Sequence, residues 1–234
     1  MTVETIQSLM DQLRLKEFVD IEFLPNDDSV YYHINQEKHL DQLIHWRRPS
    51  QFIESVQDLN RLQYPGLTPA QLQQISTKLG LKPQYQKQIH VFYDSIEPSD
   101  IRLGSKHSIL ENNYFMSAIS ILAQRPPLIE RLFITKEWNP QGIYRLRICK
   151  GGQWVEVTID DFFPCEPSGG PLFTSCIDNE IWVMLLEKAY AKVHGSYYML
   201  KGGFVNEALI DLTGCPMSCY NLKDEYVKHF VKNG

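Results

Sequence analysis

One helix-length segment is apolar on nearly every side. From Asn113 to about Gln124 the chain carries Tyr114, Phe115, Met116, Ala118, Ile119, Ile121 and Leu122. A surface helix keeps a polar face; this segment keeps almost none, so it is expected to lie buried within a lobe. Enclosing each large side chain contributes roughly 1.5–3 kcal/mol. Asn112 and Asn113 stand at its start, and both are good N-cap residues. Arg125-Pro126-Pro127 ends it, because proline lacks the amide donor and restricts its predecessor.

The elements expected around that helix are mixed. Leu128 to Phe133 reads as a second short helix. Gly142–Cys149 and Trp154–Ile159 alternate in polarity, and Lys150-Gly151-Gly152-Gln153 joins them. Alternation on both sides of a Gly-Gly turn predicts a hairpin. Asp178 or Asn179 is expected to cap a long helix reaching about Val193 and ended by Gly195, with His194 as a cation at its C-terminus. Asn206 to Leu212 reads as a further helix. The fold class is α+β: helix-rich, with a small antiparallel sheet.

Residues 1–92 precede this core and are more polar. Met1 to Phe18 reads as an amphipathic helix with Ile6, Met10, Leu13 and Phe18 near one stripe. Pro25 to Ser29 is a loop by composition, and His39 to Trp46 reads as one or two helical turns stopped before Pro49. Thr68 to Leu79 reads as a helix with Thr68 as N-cap, Pro69 at the first helical position and Gly80 past its end.

Bulk properties exclude several classes. The net charge of −5 and the short basic cluster Arg47-Arg48 argue against general nucleic-acid binding. No run of eighteen apolar residues suggests a membrane span, and Met1-Thr2-Val3-Glu4-Thr5 lacks the pattern of a signal peptide. The five cysteines then read as reduced thiols, and a cytoplasmic location is expected. Cys215 and Cys219 with His229 lack a fourth zinc ligand and read as ordinary residues. Cys176, just before the long helix, is a weak candidate nucleophile.

Several segments together resemble the calpain family. Phe18-Val19-Asp20-Ile21-Glu22-Phe23-Leu24-Pro25, Trp46-Arg47-Arg48-Pro49 and Pro98-Ser99-Asp100-Ile101-Arg102 look like its opening segment and its approach to the catalytic loop. Leu110-Glu111-Asn112-Asn113-Tyr114-Phe115 resembles its motif Q-G-x-L-G-[DN]-C-[WY]-F. Trp154 to Asp161, Glu180 to Lys192, Gly202-Gly203 and Asp211 to Gly214 continue the likeness in order and spacing. The resemblance implies the helix-rich first lobe of a papain-like calpain core over residues 93–216, an approach region over 1–92, and a tail over 217–234 with the second lobe absent.

The departures from that pattern bear on chemistry. The catalytic Cys of the motif corresponds to Asn113, and an amide cannot form the attacking anion. Counting back from Asn113 puts the oxyanion Gln at His107; counting forward from Asp100 puts it at Leu103, before Gly104. The two counts differ by four residues, neither restores a Gln, and the motif Gly is Glu111. Losing an oxyanion donor typically costs about 100- to 1000-fold in rate. His107 otherwise reads as an exposed loop histidine. The family's catalytic His and Asn belong to the second lobe.

The resemblance also implies a calcium site, since the acids matching Asp100 and Glu180 ligate calcium in this family; Glu180 alone would simply complement a helix dipole. No organic cofactor is expected. The expected function is a non-catalytic calpain-like module that binds protein or calcium. The alternative is a partial or mis-spliced chain of a calcium-dependent cysteine endopeptidase, and a decaying gene copy is a third reading. A lone lobe should expose an apolar patch near Asn113 and Trp182, to be covered by a protein partner or a second lobe.

Overall fold

The computed structural model describes Ser8 and residues 17–31, 44–53, 89–93, 95–104, 110–167, 169–177 and 179–220. The helix expected at Thr68–Leu79, nearly all of that at Met1–Phe18, His107, Asp178 and most of the tail lie outside these residues. Among the described residues the chain is α+β, with six α-helices and three two-stranded antiparallel sheets.

The N-terminal elements are short: α1 (Asp27–Val30), β1 (His45–Arg47) and α2 (Pro49–Phe52). A 3-10 turn at Pro98–Asp100 leads into β2 (Ile101–Arg102). Next come α3 (Asn113–Ala123), α4 (Pro126–Glu130), β3 (Ile143–Lys150), β4 (Gln153–Asp160), β5 (Phe163–Cys165) and β6 (Ser175–Cys176). The long helix α5 (Trp182–His194) is followed by α6 (Val205–Thr213). β1 pairs with β5, β2 with β6, and β3 with β4.

The hairpin forms where the sequence predicts it. Lys150 faces Gln153 across Gly151 and Gly152, both at positive φ (59° and 80°), which a two-residue hairpin turn of this hand requires. The expected helix at Asn206–Leu212 is α6, one residue longer at each end.

Four expectations need correction. His45–Arg47 is strand, not helical turn: Arg48 precedes Pro49 and is held extended, and the segment pairs with β5 in the register Arg47 to Phe163. Pro25–Ser29 is not all loop, because Asn26 accepts the Asp28 amide and caps the single turn of α1. The second short helix starts at Pro126, not Leu128, and ends at Glu130; proline is well suited to a first helical turn, so the residues that stop α3 also start α4. Finally, the α5 cap is Ile181, without a side-chain hydrogen bond, while Asn179 sits two residues earlier at φ 62° in a left-handed turn.

Burial is also distributed differently from the expectation. The most enclosed helix is α5, whose residues Trp182 to Ala191 are all buried. Trp182 itself is fully enclosed, so no patch forms around it. α3 packs against α4 and α6 and stacks Phe115 on Tyr190 of α5 at 4.4 Å. Yet it keeps an open stripe, Asn113, Ser117 and Ile121, at the four-residue spacing of one helix face.

Charges sit at the centre. Lys188, 0% exposed, pairs with Asp160 and donates to the Phe162 carbonyl at 2.6 Å. Its ammonium lies 5.5 Å from the Trp46 ring and 5.9 Å from the Phe163 ring, at cation–π range. Asp160 also accepts the amides of Asp20 (2.8 Å) and Phe162 (2.9 Å). One turn on, Lys192 binds Asp20 at 2.8 Å and the Thr158 carbonyl at 2.9 Å. Arg48, also buried, pairs with Asp161 and donates to the Phe18 carbonyl at 2.6 Å. These contacts fasten residues 18–23 and β1 to α5 and the hairpin.

A buried pair that loses one partner leaves an uncompensated charge, at a cost of roughly 3–5 kcal/mol. Lys188→Met is therefore expected to lower urea-unfolding stability by about that amount. The double variant Lys188→Met/Asp160→Asn should recover part of the loss, because no net charge then stays in the core.

Candidate functional site

The site is built around the start of α3. Asn112 N–H donates to the Leu110 carbonyl at 2.7 Å, turning the chain sharply into the helix. The Asn112 carbonyl then accepts the amides of Phe115 (2.9 Å) and Met116 (3.1 Å). Its side chain does not cap the helix; Asn112 Nδ2 donates to Glu187 Oε1 at 2.7 Å inside the core. Asn113 is the first helical residue and is exposed.

Glu187 is the support for this turn, a role that its place in a helix does not reveal in the sequence. Besides Asn112 it accepts Thr174 Oγ1 at 2.6 Å and the Thr174 amide at 3.3 Å. It therefore ties α3, α5 and the approach to β6 together at one carboxylate. Burial pushes its pKa from 4.5 up to about 7, against the pull of the Thr174 and Asn112 donors.

Two glycines bring backbone close to this region. A side chain on Gly203 would place Cβ 2.6 Å from Tyr114 Cζ, and one on Gly104 would place it 1.7 Å from the Phe173 carbonyl oxygen. The Gly202 amide donates to the Glu111 carbonyl at 3.2 Å. Hence the 202–203 segment lies beside the mouth of α3, and residue 104 lies against the strand approach that also carries Thr174. Leu103 is 64% exposed just past β2. Phe204 is similarly open at 67%.

No thiol stands at the α3 start. Cys165 is pushed up to about 12 by burial, and Cys176 is pushed well up by burial, with Glu180 and Asp100 adding to the effect. Burial thus disfavours the thiolate at both, which weighs against Cys176 as a substitute nucleophile. Cys149 is buried, and Cys215 and Cys219 are exposed beyond α6.

The two candidate calcium acids are buried, Asp100 just before β2 and Glu180 four residues after β6. β2 and β6 place Ile101 opposite Cys176, and both Asp100 and Glu180 act on the Cys176 sulfur. Asp100 Oδ2 accepts the Glu97 amide at 2.7 Å. Glu180 accepts the Tyr93 amide at 2.6 Å and Trp182 Nε1–H at 3.1 Å. These donors fix the orientation of each carboxylate. No group of three or more His, Cys, Asp or Glu side chains suited to a metal occurs among the described residues.

A helix with an exposed first turn, steadied by a second helix and flanked by a Gly-Gly segment, fits the family that the sequence resembles. The calpain family cysteine protease pattern matches residues 18–233, and the chain belongs to that family. It is 37% identical over 201 residues to the calpain-type cysteine protease ADL1 of Oryza sativa subsp. japonica, covering 85% of this chain and 8% of the relative. The calpain-type cysteine protease DEK1 of Zea mays is 36% identical over 201 residues, with the same coverage. Calpain-10 of Mus musculus is 41% identical over 125 residues, 51% of this chain and 19% of the relative. The chain thus spans a small part of the length of the curated relatives it matches. No helix among the described residues is long and apolar enough to cross a membrane.

Glu187 gives a test of the site in solution. Its folded pKa of about 7 exceeds its unfolded value of 4.5, so between those values the folded chain holds the extra proton. Stability from this group is full below about pH 4.5 and falls as pH rises through 7, by at most about 3 kcal/mol at 1.36 kcal/mol per pKa unit. Glu187→Gln should remove that share of the slope: urea-unfolding curves of variant and wild type should diverge, in favour of the variant, as pH rises from 5 to 8.

Proposed function

We propose that this chain is a calpain-core lobe that binds rather than cuts. The observation that carries this reading is Asn113: it takes the exposed first position of α3, where the family's motif has its nucleophile. A carboxamide there cannot yield the anion that attacks a peptide carbonyl. The remaining face suits a protein partner or a second protease lobe. Leu103 at 64% exposure, Phe204 at 67%, and the stripe Asn113–Ser117–Ile121 offer apolar and polar contacts without a reactive group.

Calcium fits this reading at Asp100 and Glu180. Hard oxygen donors suit it, and two carboxylates pre-aimed by fixed N–H donors lower the cost of ordering them. Calcium takes six to eight oxygens, so backbone carbonyls and water would complete its shell. Bound there, it would offset the two buried acids and brace β2 against β6. Neither acid would take part in bond cleavage.

A second reading is the first lobe of a calcium-dependent cysteine endopeptidase, represented by a partial or mis-spliced chain. The small share of each relative that is matched, 8% for the rice protein, favours it. So does the conflict between Leu103 and His107 as the oxyanion position. The mass of the native protein separates the two: a product much larger than 27.3 kDa supports the second.

The purified chain should release no fragments from casein in millimolar calcium. Asn113→Cys alone should also stay inactive, since the family's His and Asn partners are supplied by another lobe; turnover by that variant would refute the proposal. In calorimetry, Glu180→Ala should abolish the heat of calcium binding, and an unchanged isotherm would remove this site. A photo-crosslinker at position 113 should capture a partner that Phe204→Asp no longer captures.

A further inference from the structure

A polar cluster away from the α3 mouth joins the hairpin turn to two helices. His194, the last residue of α5, lies with Nδ1 2.8 Å from the Tyr190 carbonyl. A carbonyl only accepts, so Nδ1 carries the proton. The neutral ring then has Nε2 free to accept, and Lys150 Nζ donates to it at 2.7 Å. Lys150 ends β3 beside the Gly151-Gly152 turn. The same ammonium reaches Asp211 Oδ2 of α6 at 3.3 Å, and Tyr190 Oη donates to that oxygen at 3.1 Å. His194 Nε2 is itself 3.8 Å from Asp211 Oδ2.

We propose that Lys150, His194 and Asp211 form an acid-operated clasp on the hairpin turn. When His194 gains a proton at Nε2, that nitrogen becomes a donor and a cation facing the Lys150 ammonium. Two donors cannot share the contact, and the like charges repel. Asp211 is the acceptor within reach of both, and a shift of under about 1 Å brings His194 Nε2–H to it at ordinary hydrogen-bond length. The imidazolium then takes the place of Lys150, and Lys150 leaves with the hairpin turn. The proton comes from solvent, and no covalent bond changes.

All the charged and titratable neighbours bear on this exchange. From β3 comes Lys150, and from α6 come Asp211 and Glu207. Tyr190 on α5 lies tilted against the ring with centroids 4.2 Å apart, and Tyr114 of α3 bears on Tyr190. Burial holds His194 below the ordinary histidine range, Lys150 adds to that, and the Tyr190 carbonyl and the two acids oppose it. The clasp therefore stays closed at neutral pH and opens on acidification. Because α5 and α6 are joined by the segment bearing Gly202 and Gly203, it also fixes the end of α5 where that segment begins against the last turn of α6.

The 234-residue chain allows a direct test by NMR, with His194 assigned from the signal missing in His194→Gln. Long-range nitrogen–proton correlations at neutral pH should show the Nδ1–H tautomer. On acidification through the His194 titration, exchange at the Lys150 and Gln153 amides, which face each other across the turn, should rise several-fold once corrected for intrinsic rate. Lys150→Met should raise the pH at which His194 titrates and make that exchange insensitive to pH. An Nε2–H tautomer in the neutral wild type, a His194 titration unmoved by Lys150→Met, or turn exchange indifferent to acid in the wild type would each overturn the proposal.

Discussion

A lysine with no access to water is the fixed point of this fold. Lys188 is stable at the centre because Asp160, the Phe162 carbonyl and flanking aromatic rings meet its ammonium from several directions. Those groups come from the end of β4, the approach to β5, and β1. Desolvating a charge is costly, so the alternative packings in which any of these elements drifts away are strongly disfavoured. The pair thus acts on specificity more than on net stability. It forces residues 18–23 and the short β1 to close over α5, and once they do, Lys192 and Arg48 can bind carboxylates of the same layer.

α5 then holds the α3 start in place through a second buried titratable group, Glu187. Lys188 faces the β4 end while its neighbour Glu187 faces Asn112 and Thr174. Adjacent residues on one helix thereby address two different parts of the lobe. The geometry of the α3 mouth is inherited from the core, not made locally. That explains how the mouth is held in place although Asn113 itself is exposed.

Features set by neighbours in sequence were legible in advance. The hairpin register follows from Gly151-Gly152, and the end of α5 from Gly195. Features set by distant partners were not. His45–Arg47 looked helical because nothing local showed that Phe163–Cys165 would pair with it. Asn179 looked like a cap because its left-handed turn is imposed by the chain on either side. α3 read as buried all round, since Ile121 gave no sign that its side of the helix has no cover among the described residues. Asn113 was singled out by the motif around it, and it opens α3 as the apolar run predicted. Glu187 was not singled out, because a Glu in a helix is most often a solvated residue, and only the fold reveals that its partners are Asn112 and Thr174.

The enclosure of Lys188 has a practical corollary. Amine-directed acylating reagents need a deprotonated, reachable nitrogen, and this one is sealed by the same rings and carboxylate that hold its proton. In the native chain, labels would collect on the open lysines and spare position 188. Its modification would then report breathing of the whole interior, a built-in gauge of how often the lobe comes apart.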